Sequence, residues 1–198
     1  TDIAFLGAII NYIIEEKKYD KQFIDDHTNA YHLVGDEYGF ADGLFAGYDE
    51  ENRKYDVSKW GYLLDEEGNP VTTDDLNHPQ SVFTKLKEHY SRYTFEVASS
   101  ITGIPEEKIK LIADTMIDNR PGTIMYALGM TQHTVGVQNI RGFGIMTLLL
   151  GNVGKPGSGV NALRGEPNVQ GSTDFACLFN YFPGYLKTPV HYQPTIED

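Results

Sequence analysis

The chain has 198 residues, 40% of them hydrophobic, which is enough for a sizeable core in one large domain or two small ones. A formal charge of −12 and a single cysteine, Cys177, exclude the basic face of a nucleic-acid binder, an internal disulfide framework and any Cys-x-x-Cys motif. No apolar run reaches the about 18 residues that a membrane-spanning helix needs, and a start at Thr1 without methionine or signal sequence is expected of a piece of a longer protein.

In chain order, Ile3, Phe5, Leu6, Ile9, Ile10, Ile13 and Ile14 predict a largely buried helix from Ile3 to Lys17, with Glu15, Glu16, Lys17 and Lys18 at its solvent end. A short second helix is expected within Tyr19 to His27. From about Ala30 to Val82 no period is sustained. Leu64-Asp65-Glu66-Glu67-Gly68-Asn69-Pro70 reads as a turn between short extended pieces. Asp36 to Asp75 holds twelve carboxylates against Arg53, Lys54 and Lys59, so the stretch reads as an acidic surface insertion. Its Asp49-Glu50-Glu51-Asn52 lacks the alternating oxygens and central glycine of a calcium loop.

Helix returns at Phe83 to Tyr90, and Thr94 is the expected N-cap of a helix from Phe95 to Ile101. Pro105 falls at a first helical position, with Glu106 and Glu107 in the first turn. Ile109, Ile112, Ala113, Met116 and Ile117 then form an amphipathic face. Asn119-Arg120-Pro121-Gly122 ends that helix. Thr123 to Gly129 is a short apolar run of the kind expected for a buried parallel strand, and a polar turn from Met130 to Gly136 leads into a helix from Val137 to Leu150. This alternation is that of an α/β fold with a doubly wound, mostly parallel sheet, in which ligands bind beyond the carboxyl ends of strands, here at Met130 to Gly136.

The segment from Gly151 to Asp174 carries six of the twenty glycines around one arginine, Arg164, with Asn161, Asn168, Gln170, Ser172 and Thr173 as uncharged hydrogen-bonding side chains. Two readings stay open: a ligand-binding loop, or a tight crossover connection. Arg164 has the planar fork that grips a carboxylate or phosphate at two points, and it could equally serve in a surface salt bridge. Known phosphate cradles do not fit. Pro156 follows Gly154-Lys155 where a P-loop needs Ser or Thr, and Gly154, Gly157 and Gly159 do not match Gly-x-Gly-x-x-Gly. Asn152-Val153-Gly154 reads as a helix exit. None of the six histidines has metal-ligand spacing to a carboxylate or cysteine.

The strings YALGMTQHTVGVQNIRG, LLLGNVGKPGSGVNALRGEPNVQGSTD and FNYFPGYL together resemble the large catalytic subunit of formate dehydrogenase, in the molybdopterin oxidoreductase family. The resemblance runs through nearly the whole chain and is sharpest at Leu-Arg-Gly-x-x-Asn-Val-Gln-Gly. It implies an internal segment of a formate-oxidising enzyme with molybdenum or tungsten on two molybdopterin guanine dinucleotides and a 4Fe-4S cluster. Partners implied are formate or carbon dioxide, the rest of the catalytic subunit and an iron–sulfur subunit, in the periplasm. Arg164 matches the arginine that points at formate. Thr1 and Asp2, matching the end of a Gly-Thr-Asp motif, and Leu128 and Gln132 would contact a pterin dinucleotide, and Gly165, Asn168, Gln170 and Gly171 would line the pocket beside Arg164. His133 lies close by position without an assigned role.

Residues 1–29 and 83–165 would then belong to a cofactor-binding α/β domain, 30–82 to the insertion, and 166–198 to the start of a neighbouring α/β domain. The selenocysteine or cysteine metal ligand, its neighbouring histidine and the iron–sulfur cysteines lie upstream in the family. Cys177 is outside the ligand motif, so the segment alone is not expected to be active. A nitrate-reductase type of relative and a non-catalytic electron-transfer subunit retaining the fold are the alternatives.

Overall fold

The apolar stripe that begins at Ile3 becomes helix α1, Asp2–Glu15, with Ile9, Ile10 and Ile13 fully buried. This computed structural model describes residues 1–41, 43–166, 168–177, 181–182, 186–190 and 195, and it divides into two units, Thr1–Asn161 and Ala162–Asp198. Of the string FNYFPGYL, residues 179, 180 and 183–185 lie outside the described residues.

In the first unit α1 is the axis of the core, packed by α3 (Val82–Tyr90), α4 (Phe95–Thr102), α5 (Glu106–Asp118) and α7 (Gly136–Leu149). Its polar exit is tied to α5. The Asp114 carboxylate accepts hydrogen bonds from Lys110 at 2.5 Å, Tyr12 at 2.8 Å and Lys18 at 3.0 Å. These bonds, that of Lys110 first, hold the Asp114 carboxyl below the usual carboxylate range. Helix α2, Lys21–His27, is capped by Asp20, whose Oδ1 accepts from the Phe23 amide at 3.0 Å. The Asp20 amide donates to the Leu149 carbonyl at 2.7 Å and so pins α2 to the end of α7.

Residues 30–82 form two small antiparallel hairpins, β1 (Phe40–Ala41) with β2 (Leu44–Phe45) and β3 (Tyr48–Asp49) with β4 (Lys54–Tyr55), then a 3-10 turn at Val57–Trp60. The turn expected at Leu64 to Pro70 is present: an antiparallel bridge joins those two residues, and Asp65 Oδ1 accepts from the Glu67 and Asn69 amides. Rings of Phe40, Phe45, Trp60, Tyr55 and Tyr48 follow one another at centroid spacings of 4.9–5.4 Å. The base of the stretch enters the core through Ala30 and Leu76.

The next three helices follow their sequence signals closely. Ser81 Oγ caps α3 by accepting from the Thr84 amide, and Thr94 Oγ1 caps α4 by accepting from Val97. Gly103 closes α4 at φ 75°, a left-handed position that glycine takes without strain. Pro105 is the N-cap of α5, one residue before its expected place. The buried face of α5 is narrower than expected: Ile109, Ala113 and Ile117 are buried and Met116 packs partly buried against the core, while Ile112 is 41% exposed.

Two further expectations are corrected beyond α5. The run at Thr123 is a strand, β5 (Thr123–Tyr126), but it is not buried, and Met125 is 63% exposed. Its pairing is with β6 (Gly159–Ala162), the one parallel pair among the described strands, so no further strand flanks it. Thr123 Oγ1 donates to the Gly159 carbonyl and accepts from Asn161 Nδ2. The strand also ends early, since a single helical turn, α6 (Leu128–Thr131), occupies the place where its end and the following polar turn were expected. Helix α7 leaves through Gly151 at φ 63°, where a Cβ would lie 2.5 Å from Asp20 Oδ2.

The first unit is therefore a mixed α/β structure with small sheets. The second unit contains α8 (Val169–Asp174) and the antiparallel pair β7 (Tyr181–Phe182) and β8 (Leu186–Lys187). The segment read as one loop from Gly151 to Asp174 thus holds β6 and α8. Neither announces itself by hydrophobic period, because they are only four and six residues long and none of their residues is fully buried.

Candidate functional site

The carboxyl end of β5 turns at Ala127 into α6 and, after Gln132 to Val135, into α7. The reversal is tight: a Cβ on Gly136 would stand 2.2 Å from the Thr131 carbonyl oxygen. Leu128 points outward at 62% exposure and Gln132 is exposed, with no hydrogen bond to its side chain among the described residues. His133 Nε2 lies 2.7 Å from the Gly129 carbonyl oxygen. A carbonyl only accepts, so Nε2 carries the hydrogen. Asn139, fully buried on the first turn of α7, donates from Nδ2 to the Met130 carbonyl at 3.1 Å, and its Oδ1 has no partner among the described residues.

Thr1 and Asp2 lie at the start of α1. Thr1 is exposed and accepts at its carbonyl from the Phe5 amide at 3.1 Å, without a side-chain capping bond. Thr1 and the start of α7 line one cleft of about 630 Å³, through Val135, Gln138 and Arg141, with Arg92 and the β1–β2 hairpin on its other sides. Leu128 and Gln132 are not among its lining residues. The sequence reading missed Arg92 and Arg141. Arg141 stands in the first of the quoted strings and Arg92 just after α3, and what brings them together is the packing of α3 and α7 on α1, which no local pattern reveals.

Within the second unit, Arg164 and Gly165 are exposed residues ahead of α8. Among the described residues Arg164 forms no ion pair or hydrogen bond, so its five donors are uncommitted. Asn168 is the N-cap residue of α8 without a capping bond, and its side chain lies over Gly171, where a Cβ would come within 2.3 Å of Asn168 Oδ1. Gln170 is exposed on the first turn. Cys177 is exposed, and its thiol lies 3.9 Å from the Phe175 carbonyl.

Within the second unit Arg164 offers an uncommitted guanidinium, and Asn168 and Gln170 offer neutral amides, donors suited to an anionic ligand rich in hydrogen-bonding edges. Neutral amides of this kind fit the edges of a pterin dinucleotide, and a guanidinium fits a small carboxylate. Among the described residues no three His, Cys, Asp or Glu side chains stand together as a metal-ligand set. No described helix is long and apolar enough to cross a membrane.

No family model matches the chain. Among curated proteins it is 52% identical over 202 aligned residues to the formate dehydrogenase subunit alpha of Megalodesulfovibrio gigas. It is 48% identical over 202 residues to formate dehydrogenase 2 subunit alpha (cytochrome c-553) of Nitratidesulfovibrio vulgaris, and 47% over 201 to the nitrate-inducible formate dehydrogenase major subunit of Escherichia coli. Each alignment takes in 100% of this chain and 20% of the relative. The chain is thus similar, along its whole length, to about one fifth of a formate dehydrogenase alpha subunit.

Proposed function

We propose that this chain is the part of a formate dehydrogenase alpha subunit that presents Arg164 to formate and holds one side of a molybdenum or tungsten bis(molybdopterin guanine dinucleotide). The observation that carries the reading is the uncommitted guanidinium of Arg164, in a chain similar along its length to formate dehydrogenase alpha subunits. Arg164 pairs with the formate carboxylate through two parallel N–H donors, which fixes the orientation of the C–H bond. Gly165, Asn168, Gln170 and Gly171 line the pocket around it. Thr1, Asp2, Leu128 and Gln132 contact the dinucleotide, the three polar side chains by hydrogen bonds and Leu128 by apolar contact.

When bound, the pterin-held metal would supply the acceptor for the two electrons that leave, together with one proton, as carbon dioxide forms, and a 4Fe-4S cluster in the parent protein would pass the electrons to an iron–sulfur subunit. In the same reading, residues 1–29 and 83–165 belong to a doubly wound α/β domain, 30–82 to its acidic insertion and 166–198 to the next domain. The parent protein works in the periplasm. The test is analysis of the complete subunit for molybdenum or tungsten and for fluorescent pterin, alongside formate-dependent dye reduction. Metal, pterin and dye reduction together are expected. A folded subunit with neither metal nor pterin overturns the reading.

A further inference from the structure

A helix of four residues has no stability of its own, because nucleation is not repaid by propagation and its last carbonyls lack backbone donors. In α6, Leu128–Thr131, three successive carbonyls are nevertheless all engaged. The Leu128 oxygen accepts from the Gln132 amide at 2.9 Å, the Gly129 oxygen from His133 Nε2 at 2.7 Å, and the Met130 oxygen from Asn139 Nδ2 at 3.1 Å. Two of the three donors are side chains. One comes from within the reversal and the other from the buried side of α7.

We propose that His133 and Asn139 are positioning residues that together hold the α6 turn and so fix the direction in which Leu128 and Gln132 leave it toward the dinucleotide. The proposal rests on the reading that those two residues touch the dinucleotide. His133 clamps the exposed side of the turn and Asn139 its buried side, while Gly136 brings α7 close enough for Asn139 to reach. The Gln132 side chain, bound to nothing else among the described residues, is left to face a ligand.

The experiment compares His133→Phe, His133→Gln, Asn139→Leu and Gln132→Ala in the complete enzyme, reading pterin per subunit, kcat and KM for formate, and amide exchange of the Gln132 and Gly136 amides. Loss of one hydrogen bond is expected to speed exchange of those amides by about two- to tenfold. His133→Phe and Asn139→Leu are expected to lower pterin content and kcat with little change in KM. The His133→Gln side chain, whose amide can donate to the same carbonyl, should recover most of the loss. Wild-type exchange in His133→Phe and Asn139→Leu overturns the proposal, and so does a His133→Gln enzyme no better than His133→Phe. Full pterin content in Gln132→Ala, with exchange still accelerated in the other variants, counts against the dinucleotide contact and leaves the clamp standing.

Discussion

Gly136 gives the sharpest steric test of the turn between β5 and α7. Its Cβ would lie 2.2 Å from the Thr131 carbonyl oxygen, 2.9 Å from the carbonyl carbon and 3.2 Å from Cα. An ordinary contact to that oxygen needs roughly 1 Å more, and backbone cannot step aside as a flexible side chain can. In Gly136→Ala the α6–α7 reversal must therefore open, at a cost of about 1–3 kcal/mol. Gly144 is the control: it lies in the same helix and nothing stands within 4 Å of its Cβ, so Gly144→Ala should stabilise α7 by about 0.5–1 kcal/mol through propensity alone. Amide hydrogen exchange in the complete subunit separates the two. Gly136→Ala should accelerate exchange at Gln132, Gly136 and Asn139, whose amides donate to Leu128, His133 and Val135, by about 5- to 150-fold. Gly144→Ala should slow exchange in α7. Wild-type exchange across residues 128–139 in Gly136→Ala would refute the steric argument.

The Asp114 carboxyl is held low by Lys110, Lys18 and Tyr12, so the stability it contributes is present above the ordinary carboxylate pKa and is lost as pH falls through the range below it. Exchange in α1 and α5 should therefore accelerate on acidification, and Asp114→Asn should flatten that dependence while raising exchange at neutral pH. A mutant with the wild-type acid dependence would contradict this. Burial, and then the Arg92 charge, hold the His89 imidazole below its ordinary pKa. Its protonation favours the opened state, so local stability where α3 meets Phe40 should fall as pH drops through the ordinary histidine range and should not change above it. His89→Gln should remove the dependence, as judged by exchange in residues 82–92 at pH 5 and pH 8. Persistence of the dependence in the mutant would place its origin elsewhere.

The helices were legible because their signals are local. The isoleucine row of α1, the Thr94 cap and the acids after Pro105 each act within one or two turns of chain. The exposure of β5 was not legible, since a run such as Thr123 to Leu128 reads the same whether its sheet has two strands or six. Helix α6 was hidden by Gly129 and depends on Asn139, nine residues ahead of the carbonyl it holds. At the candidate site, the sequence distinguished Arg164 by its motif, but only the structure shows that its guanidinium is left uncommitted by the described residues. Arg92 and Arg141 went unnoticed because their meeting at one cleft is a product of helix packing.

The most direct test of the formate-binding role is kcat/KM for formate oxidation by the complete enzyme carrying Arg164→Ala or Arg164→Lys, with metal and pterin content measured on the same samples. Loss of a two-point, charge-assisted pair is expected to lower kcat/KM by at least about 100-fold in the alanine enzyme, with metal and pterin retained. The lysine enzyme should recover little, because a single ammonium does not reproduce the planar fork. Wild-type kcat/KM in either variant would remove Arg164 from the formate site.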